Sequence, residues 1–165
     1  MKARRGTAIV ETEQGILLNA IAGNVFLLPG GRATLGESYM CAAIRELHEE
    51  TGLQAYYAMY LFSFQSRKNN HHVFLMQAIG LARPMSEIER IGYYRDGRIT
   101  NIFDRKGIQY RDLDLTHVSD STRDILRLYA QYKHNHAEFF HFLADYTHAA
   151  EQQYMTQPFL LGEHL

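Results

Sequence analysis

Four glutamates (Glu37, Glu46, Glu49 and Glu50), Arg45 and the glycines Gly31 and Gly52 fall within residues 31–53 at spacings that can do chemistry. Gly31-Arg32-Ala33-Thr34-Leu35-Gly36-Glu37 is followed, after seven residues, by Arg45-Glu46-Leu47-His48-Glu49-Glu50-Thr51-Gly52-Leu53. On a helix, residues three and four apart are neighbours, so Glu46, Glu49 and Glu50 project from one face. Met40, Ala43, Ile44 and Leu47 occupy another sector and can pack on a sheet. Gathered carboxylates repel and raise one another's pKa values. A cation relieves that cost. Oxygen-only clusters suit hard ions such as magnesium or manganese. A metal held this way points to phosphate chemistry, because it neutralises phosphate oxygens and lowers the pKa of bound water.

The bland alternative is a solvated, glutamate-rich helix face, which charge-rich surface helices commonly show. The glycine pair Gly30-Gly31 argues against it. Glycine lets the backbone approach a ligand closely and leaves carbonyl oxygens available to a metal. Arg45 reads either as a surface charge or as a partner of Glu37 and Glu46 that locks their orientation.

These residues need elements to position them. Short strands are expected at 7–13 and 15–20, around a turn at Gln14-Gly15. The apolar run 25–28 stops at Pro29-Gly30-Gly31, as a buried strand entering a loop does. Ser38 is a suitable N-cap, residues 39–51 have helical periodicity, and Gly52 suits the C′ position. Residues 55–66 and 72–81 read as strands, with 67–71 as the connecting hairpin loop. Residues 83–120 are less legible: 88–94 reads as a strand, and Gly97 and Gly107 punctuate a mixed-charge loop. A capping box is expected at Ser121-Thr122-Arg123-Asp124. From 121 to about 153 nothing breaks a helix. One rod of that length would span about 50 Å, so a bend is expected near 133–135.

With 165 residues the chain can bury a full core, and it reads as one domain, 1–165. A formal net charge of -1 gives no global pull on nucleic acid or anionic membrane, so phosphate binding must be local. The single cysteine, Cys41, excludes an internal disulfide and fits a reducing compartment. No run approaches the length of a membrane span, and Glu11 and Glu13 break the apolar stretch behind the basic start. A cytoplasmic location is expected, with no stable nucleic-acid partner and no membrane partner.

Residues 31–53 match without exception the signature box of the Nudix hydrolase family, Gly-x5-Glu-x7-Arg-Glu-U-x-Glu-Glu-x-Gly-U, where U is aliphatic and is filled here by Leu47 and Leu53. The chain therefore resembles that family. The resemblance implies an α/β fold, the Nudix-type α/β/α sandwich around a mixed β-sheet, here with a long C-terminal helical segment. It implies that Glu46, Glu49 and Glu50 hold a divalent ion, Mg2+ or alternatively Mn2+, with the Gly31 carbonyl as a further ligand. Arg45 resembles the arginine that orients a catalytic glutamate, and Glu37 the glutamate that braces loop and helix. The implied activity is cleavage of the diphosphate linkage of a nucleoside diphosphate derivative. Its implied partner is a small nucleotide-type molecule.

Within this reading Glu46, with Arg45, Glu50 and Glu37, forms the candidate catalytic set. Glu87 and Glu89 are distant alternatives for the general base. Nucleoside di- or triphosphates come first as substrates, because the box lacks the extra coenzyme A pattern and the downstream proline often found in ADP-ribose enzymes. ADP-ribose and nucleotide sugars stay open, as does a non-catalytic ligand-binding module. A Nudix-fold isomerase needs acid–base residues that Cys41 is unsuited to supply. Substrate-contacting residues outside the box are not assigned.

Other residues read more plainly. Tyr56, Tyr57, Tyr60, Phe62 and Phe64 could stack on a base, but core packing on both faces is the simpler expectation. Arg67, Lys68, His71 and His72 are placed on a hairpin tip, where they could meet a phosphate, although a basic tip is usually just solvated. His134, His141 and His148 recur every seven residues, too far apart to share one ion. They flank Phe139, Phe140, Phe142, Leu143 and Tyr146, which suggests packing on the domain or a homodimer. Cys41 is expected to be a small buried residue.

Overall fold

The computed structural model describes residues 1–156, with side chains as far as Tyr146, so His148 and Pro158 lie outside the described side chains. Cα packing divides the chain into a unit of residues 1–125 and a helical unit beginning at Leu126.

The first unit opens with β1 (Ala3–Thr12) and β2 (Gly15–Ile21), followed by the short β3 (Val25–Leu27) and β4 (Gly30–Arg32). Then come α1 (Tyr39–Thr51), β5 (Gln54–Gln65) and β6 (Asn69–Ile79). β7 (Arg90–Arg95), β8 (Arg98–Asp104), β9 (Gln109–Tyr110) and β10 (Leu113–Asp114) complete the sheet. A 3-10 turn at Leu115–His117 leads to α2 (Asp120–Asn135), and α3 (Ala137–Thr156) follows.

The sheet runs β10-β8-β7-β2-β1-β6-β5, with β3 on β2, β4 on β1 and β9 on β8. β1 and β6 pair in parallel and the other strand pairs are antiparallel, so the sheet is mixed, as expected. β1 shares one of its edges between two neighbours. Its first half faces β4, with Thr7 opposite Gly30, and its end faces β2, with Glu11 opposite Ile16. β2 and β4 therefore diverge, and a gap opens beside the middle of β1.

Side chains alternate across a strand. Ala8 and Val10 of β1 join Leu17, Ala43, Leu47, Phe74 and Met76 in the core beneath α1. Arg5 and Thr7 consequently face the other way. On that side Thr122, in the first turn of α2, accepts from the Leu28 N–H at 3.2 Å. Helix thus flanks both faces of the sheet.

α1 comes very close to β1 at Gly6. A Cβ there would lie 2.1 Å from the Tyr39 carbonyl oxygen and 2.6 Å from the Ala43 nitrogen. α1 has the expected bounds. Ser38 accepts from the Cys41 N–H at 3.0 Å, and Gly52 closes the helix in the left-handed region at φ 76°.

Several expectations need correction. The β5–β6 turn is tighter than expected: Ser66 N–H donates to Asn69 O at 2.9 Å, leaving only Arg67 and Lys68 at the tip. His71 and His72 belong to β6, and His71 is buried. The mixed-charge stretch holds the β7–β8 hairpin, turned by Asp96 and Gly97 at φ 48° and 76°. That is the Asp-Gly signature of a two-residue hairpin loop. The cap of α2 is Ser119, whose Oγ accepts from the Thr122 N–H, and the helix starts at Asp120 before the expected box. β5 is the last strand of the sheet, so its aromatics are not a two-faced core, and Tyr56 and Tyr60 are exposed. Cys41 is exposed too, because the inward positions of α1 are taken by Ala42 and Ala43. In the helical unit α2 and α3 meet at His136, next to the expected bend, and His136 stacks on Tyr132.

Gly6→Ala tests the helix–strand contact. Both clashing atoms are backbone, so the helix itself must shift, and a loss of about 3 kcal/mol is expected in denaturant unfolding. A loss below about 1 kcal/mol would show that α1 is not seated this closely.

Candidate active site

Arg45 organises the acidic box. Its Nε and Nη2 donate to the two oxygens of Glu37 at 2.9 and 3.1 Å, a bidentate pair. Nη1 donates to Glu46 Oε1 at 2.9 Å and to Glu49 Oε2 at 3.1 Å, and Nη2 also reaches the Arg32 carbonyl at 3.2 Å. The five N–H groups of the guanidinium are thereby all used. Glu37 is fixed from its other side by the N–H and hydroxyl of Thr34. Arg45 first, then the Thr34 N–H, hold the Glu37 carboxyl down at about 2.

Glu46 packs against backbone. A Cβ on Gly31 would sit 2.1 Å from its carboxylate, so any larger residue there would displace Glu46 from this position. Glu50 turns inward and is 6% exposed. Its Oε2 accepts from Asn19 Nδ2 at 2.8 Å and from the Gly30 N–H at 3.2 Å. Burial pushes its carboxyl from the ordinary 4.5 to about 7, against the opposing pull of the Gly30 N–H and the Arg5 charge.

These residues border a cavity of about 410 Å³. The gap between β2 and β4 lets Glu46 and Glu50 of α1 meet it together with Thr7 and His71 from the opposite face. Glu87 also lines it and Glu89 does not, which separates the two distant candidates. Thr7, Asn19, Arg5 and Thr122 were missed from sequence, and His71, expected at a hairpin tip, lines the cavity from within β6 instead. Only their alternation along strands could have hinted at them, and the split edge that gathers them has no local signature. His71 bonds Thr7 Oγ1 through Nδ1 at 2.9 Å and Ser66 Oγ through Nε2 at 3.2 Å. Burial, with the Arg5 charge second, lowers its pKa to about 4. It is neutral at pH 7.

The donor chemistry fits a hard cation. The available groups are carboxylate and carbonyl oxygens, and Asn19 Oδ1 is buried with no hydrogen-bond partner among the described residues. Among the described residues, however, no three acidic side chains converge as a ready ligand cluster, since Arg45 holds Glu46 and Glu49. The Gly31 carbonyl, expected as a further ligand, lies in a strand pair. In the β1–β4 ladder Ala8 N–H donates to Pro29 O and Ala33 N–H to Arg4 O, which makes Gly6 and Gly31 the hydrogen-bonded pair between them. Gly31 is thus committed to the ladder. The Gly30 carbonyl points away from β1, like its N–H, and accepts from Arg5 Nη2 at 2.6 Å.

The buried acid gives a pH signature. The folded chain binds more protons at Glu50 than the unfolded chain between about pH 4.5 and 7, so its burial costs stability as pH rises through that window. His71 acts oppositely: its pKa falls from 6.5 to about 4, so stability is lost as pH falls through that range. In the parent the two slopes oppose each other. Glu50→Gln should leave only the His71 slope and relieve about 2–3 kcal/mol at pH 8 in metal-free buffer. Melting about 5–10 °C higher is the expected reading. A variant that melts no higher than the parent at pH 8 would mean that the carboxylate is not strained.

Comparison with known proteins agrees with this geometry. The NUDIX domain model matches residues 2–91. The structure of a proposed nudix hydrolase family member from Chromobacterium violaceum is 32% identical, with a TM-score of 0.71, covering 93% of this chain and 97% of that one. A MutT NUDIX hydrolase from Burkholderia pseudomallei is 20% identical with a TM-score of 0.56, covering 77% and 97%. A UDP-X diphosphatase is 18% identical with a TM-score of 0.54, covering 82% and 64%. The last two show the fold alone. Comparison with curated proteins gives no match. With a complete box, an arginine clamp on its glutamates and a relative alike over nearly its whole length, the chain belongs to the Nudix family of hydrolases, which act on pyrophosphate bonds of small nucleotide substrates and generally depend on a divalent metal.

Proposed function

We propose that this protein is a magnesium- or manganese-dependent pyrophosphohydrolase that cleaves the diphosphate linkage of a nucleoside di- or triphosphate. The observation that carries the reading is Glu50: an acid buried at the cavity beside Glu46, with hard oxygen donors around it and no cationic side chain paired to it. Glu46, Glu49, Glu50 and the Gly30 carbonyl would hold the ion, which supplies charge neutralisation of phosphate oxygens and a more acidic bound water.

The remaining work falls to the chain's own residues. Arg45 keeps Glu46 and Glu49 aligned, and Glu37 keeps Arg45 aligned. Glu46 Oε1 is engaged by Arg45, which makes it a poor proton acceptor. Glu87 is exposed at the cavity wall with an uncommitted carboxylate, and we assign it as the general base. ADP-ribose or a nucleotide sugar is the alternative substrate. A cytoplasmic location fits the lone cysteine, and no described helix is long and apolar enough to cross a membrane. A homodimer through the helical unit fits the exposed Phe142 and Tyr146.

A substrate panel with Mg2+ or Mn2+, reading products directly, tests the activity. Glu50→Gln should lower turnover about 10²-fold or more, and Glu87→Gln about 10²-fold in kcat with little change in KM. Parent-like rates in folded Glu50→Gln would remove Glu50 from the metal site. Parent-like rates in Glu87→Gln would return the base role to the box.

A further inference from the structure

Arg5 and Arg32 stand directly opposite each other on β1 and β4. They belong to a non-hydrogen-bonded pair, since Arg4 pairs with Ala33 on one side and Gly6 with Gly31 on the other. In such a pair the Cα atoms are close and both side chains leave the same face. Both line the cavity, on the face turned away from α1. Like charges directly opposite destabilise a sheet, so the pairing asks for a reason.

Neither guanidinium forms an ion pair among the described residues. Arg5 is half-buried and donates to the Gly30 carbonyl, which leaves most of its donors unused. The Arg32 guanidinium makes no hydrogen bond among the described residues. The acids around the same cavity are Glu46, Glu50 and Glu87, and none of them forms an ion pair with either arginine. A guanidinium is a planar fork matched to phosphate oxygens, and two forks side by side match one phosphoryl group. Asn19, whose Oδ1 is buried with no hydrogen-bond partner among the described residues, lines the same cavity.

We propose that Arg5 and Arg32 form a two-guanidinium clamp for one phosphoryl group of the substrate, separate from those held at the carboxylates. The identity of that group rests on the pyrophosphohydrolase reading; the clamp itself does not. A diphosphate esterified at both ends has little charge left once a divalent ion is bound. A triphosphate brings a further phosphoryl group with about two more charges. The clamp therefore selects nucleoside triphosphates over ADP-ribose-like compounds.

The decisive measurement is binding of inorganic tripolyphosphate to metal-free protein, by calorimetry and by thermal melting. The parent should bind and melt higher with it. Arg32→Met and Arg5→Met should each weaken binding at least about tenfold, with Arg32→Lys intermediate. Without ligand, Arg32→Met should melt at or above the parent, because a like-charge pair has been removed. Equal binding by parent and both methionine variants, or a lower melting temperature of ligand-free Arg32→Met, would overturn the clamp. With magnesium present, Arg32→Met should lose kcat/KM on a nucleoside triphosphate at least about tenfold more than on ADP-ribose. Equal losses would overturn the selectivity. The binding arm needs no turnover, so failure to hydrolyse any compound would defeat the functional reading and leave the clamp to be judged on its own.

Discussion

The Arg45 guanidinium is the contact on which the site depends. Three carboxylates meet it, from the loop and from two turns of α1, together with the carbonyl of Arg32 on β4. No N–H is left over, so the group cannot rotate without breaking several charge-assisted bonds at once. A lysine could supply the charge but not the fork. This is why loop, strand and helix behave as one piece around the cavity. The Glu37 side of the fork does most of it, being bidentate and backed by Thr34.

A second constraint is the closeness of backbone to backbone. Gly6 lets α1 settle onto β1, and its ladder partner Gly31 lets the Glu46 carboxylate lie on β4. The two glycines are opposite each other, so one cross-strand position brings the helix down at two points. Seating α1 this deeply carries Glu50 past the surface and into the gap between β2 and β4. The cost is a buried acid held by Asn19 and a single backbone N–H. On the reading proposed above, stability has been given up at the position that would supply an oxygen to the ion, a common feature of functional sites.

What sequence could show follows from how local each signal is. α1 was legible to its ends because Ser38, the periodic leucine and alanines, and Gly52 each act within a few residues. The spacing of the acids along α1 was legible, but not that Glu50 turns inward to Asn19 and Gly30 while Arg45 holds Glu46 and Glu49. The β7–β8 hairpin had a local cue in Asp96-Gly97 that went unread among many charges. Cys41 shows the limit of neighbour-based reasoning, since adjacent alanines on a helix do not share its face. Thr7, His71 and Asn19 come from three strands and meet only because β1 changes partners along its edge, a nonlocal event that no short window records. Which of the Gly30 and Gly31 carbonyls turns toward β1 likewise needs ladder register, since the two are indistinguishable as residues.

Charge ties these parts together. A net charge of -1 suggests an unremarkable surface, yet the cavity has an acidic side at α1 and a basic side at Arg5 and Arg32. If all these groups could pair across the cavity they would neutralise each other, and the site would have no use for a cation or an anion. The gap and the alternation of β1 keep them apart. Arg5 is tied to the Gly30 carbonyl instead, and Arg45 takes up the acids nearest the loop. Among the described residues the fold thus keeps Arg5 and Arg32 out of ion pairs with the cavity acids Glu46, Glu50 and Glu87. A metal ion bound to a phosphate chain carries both signs in the reverse order, and on the reading proposed above such a ligand would satisfy both sides at once.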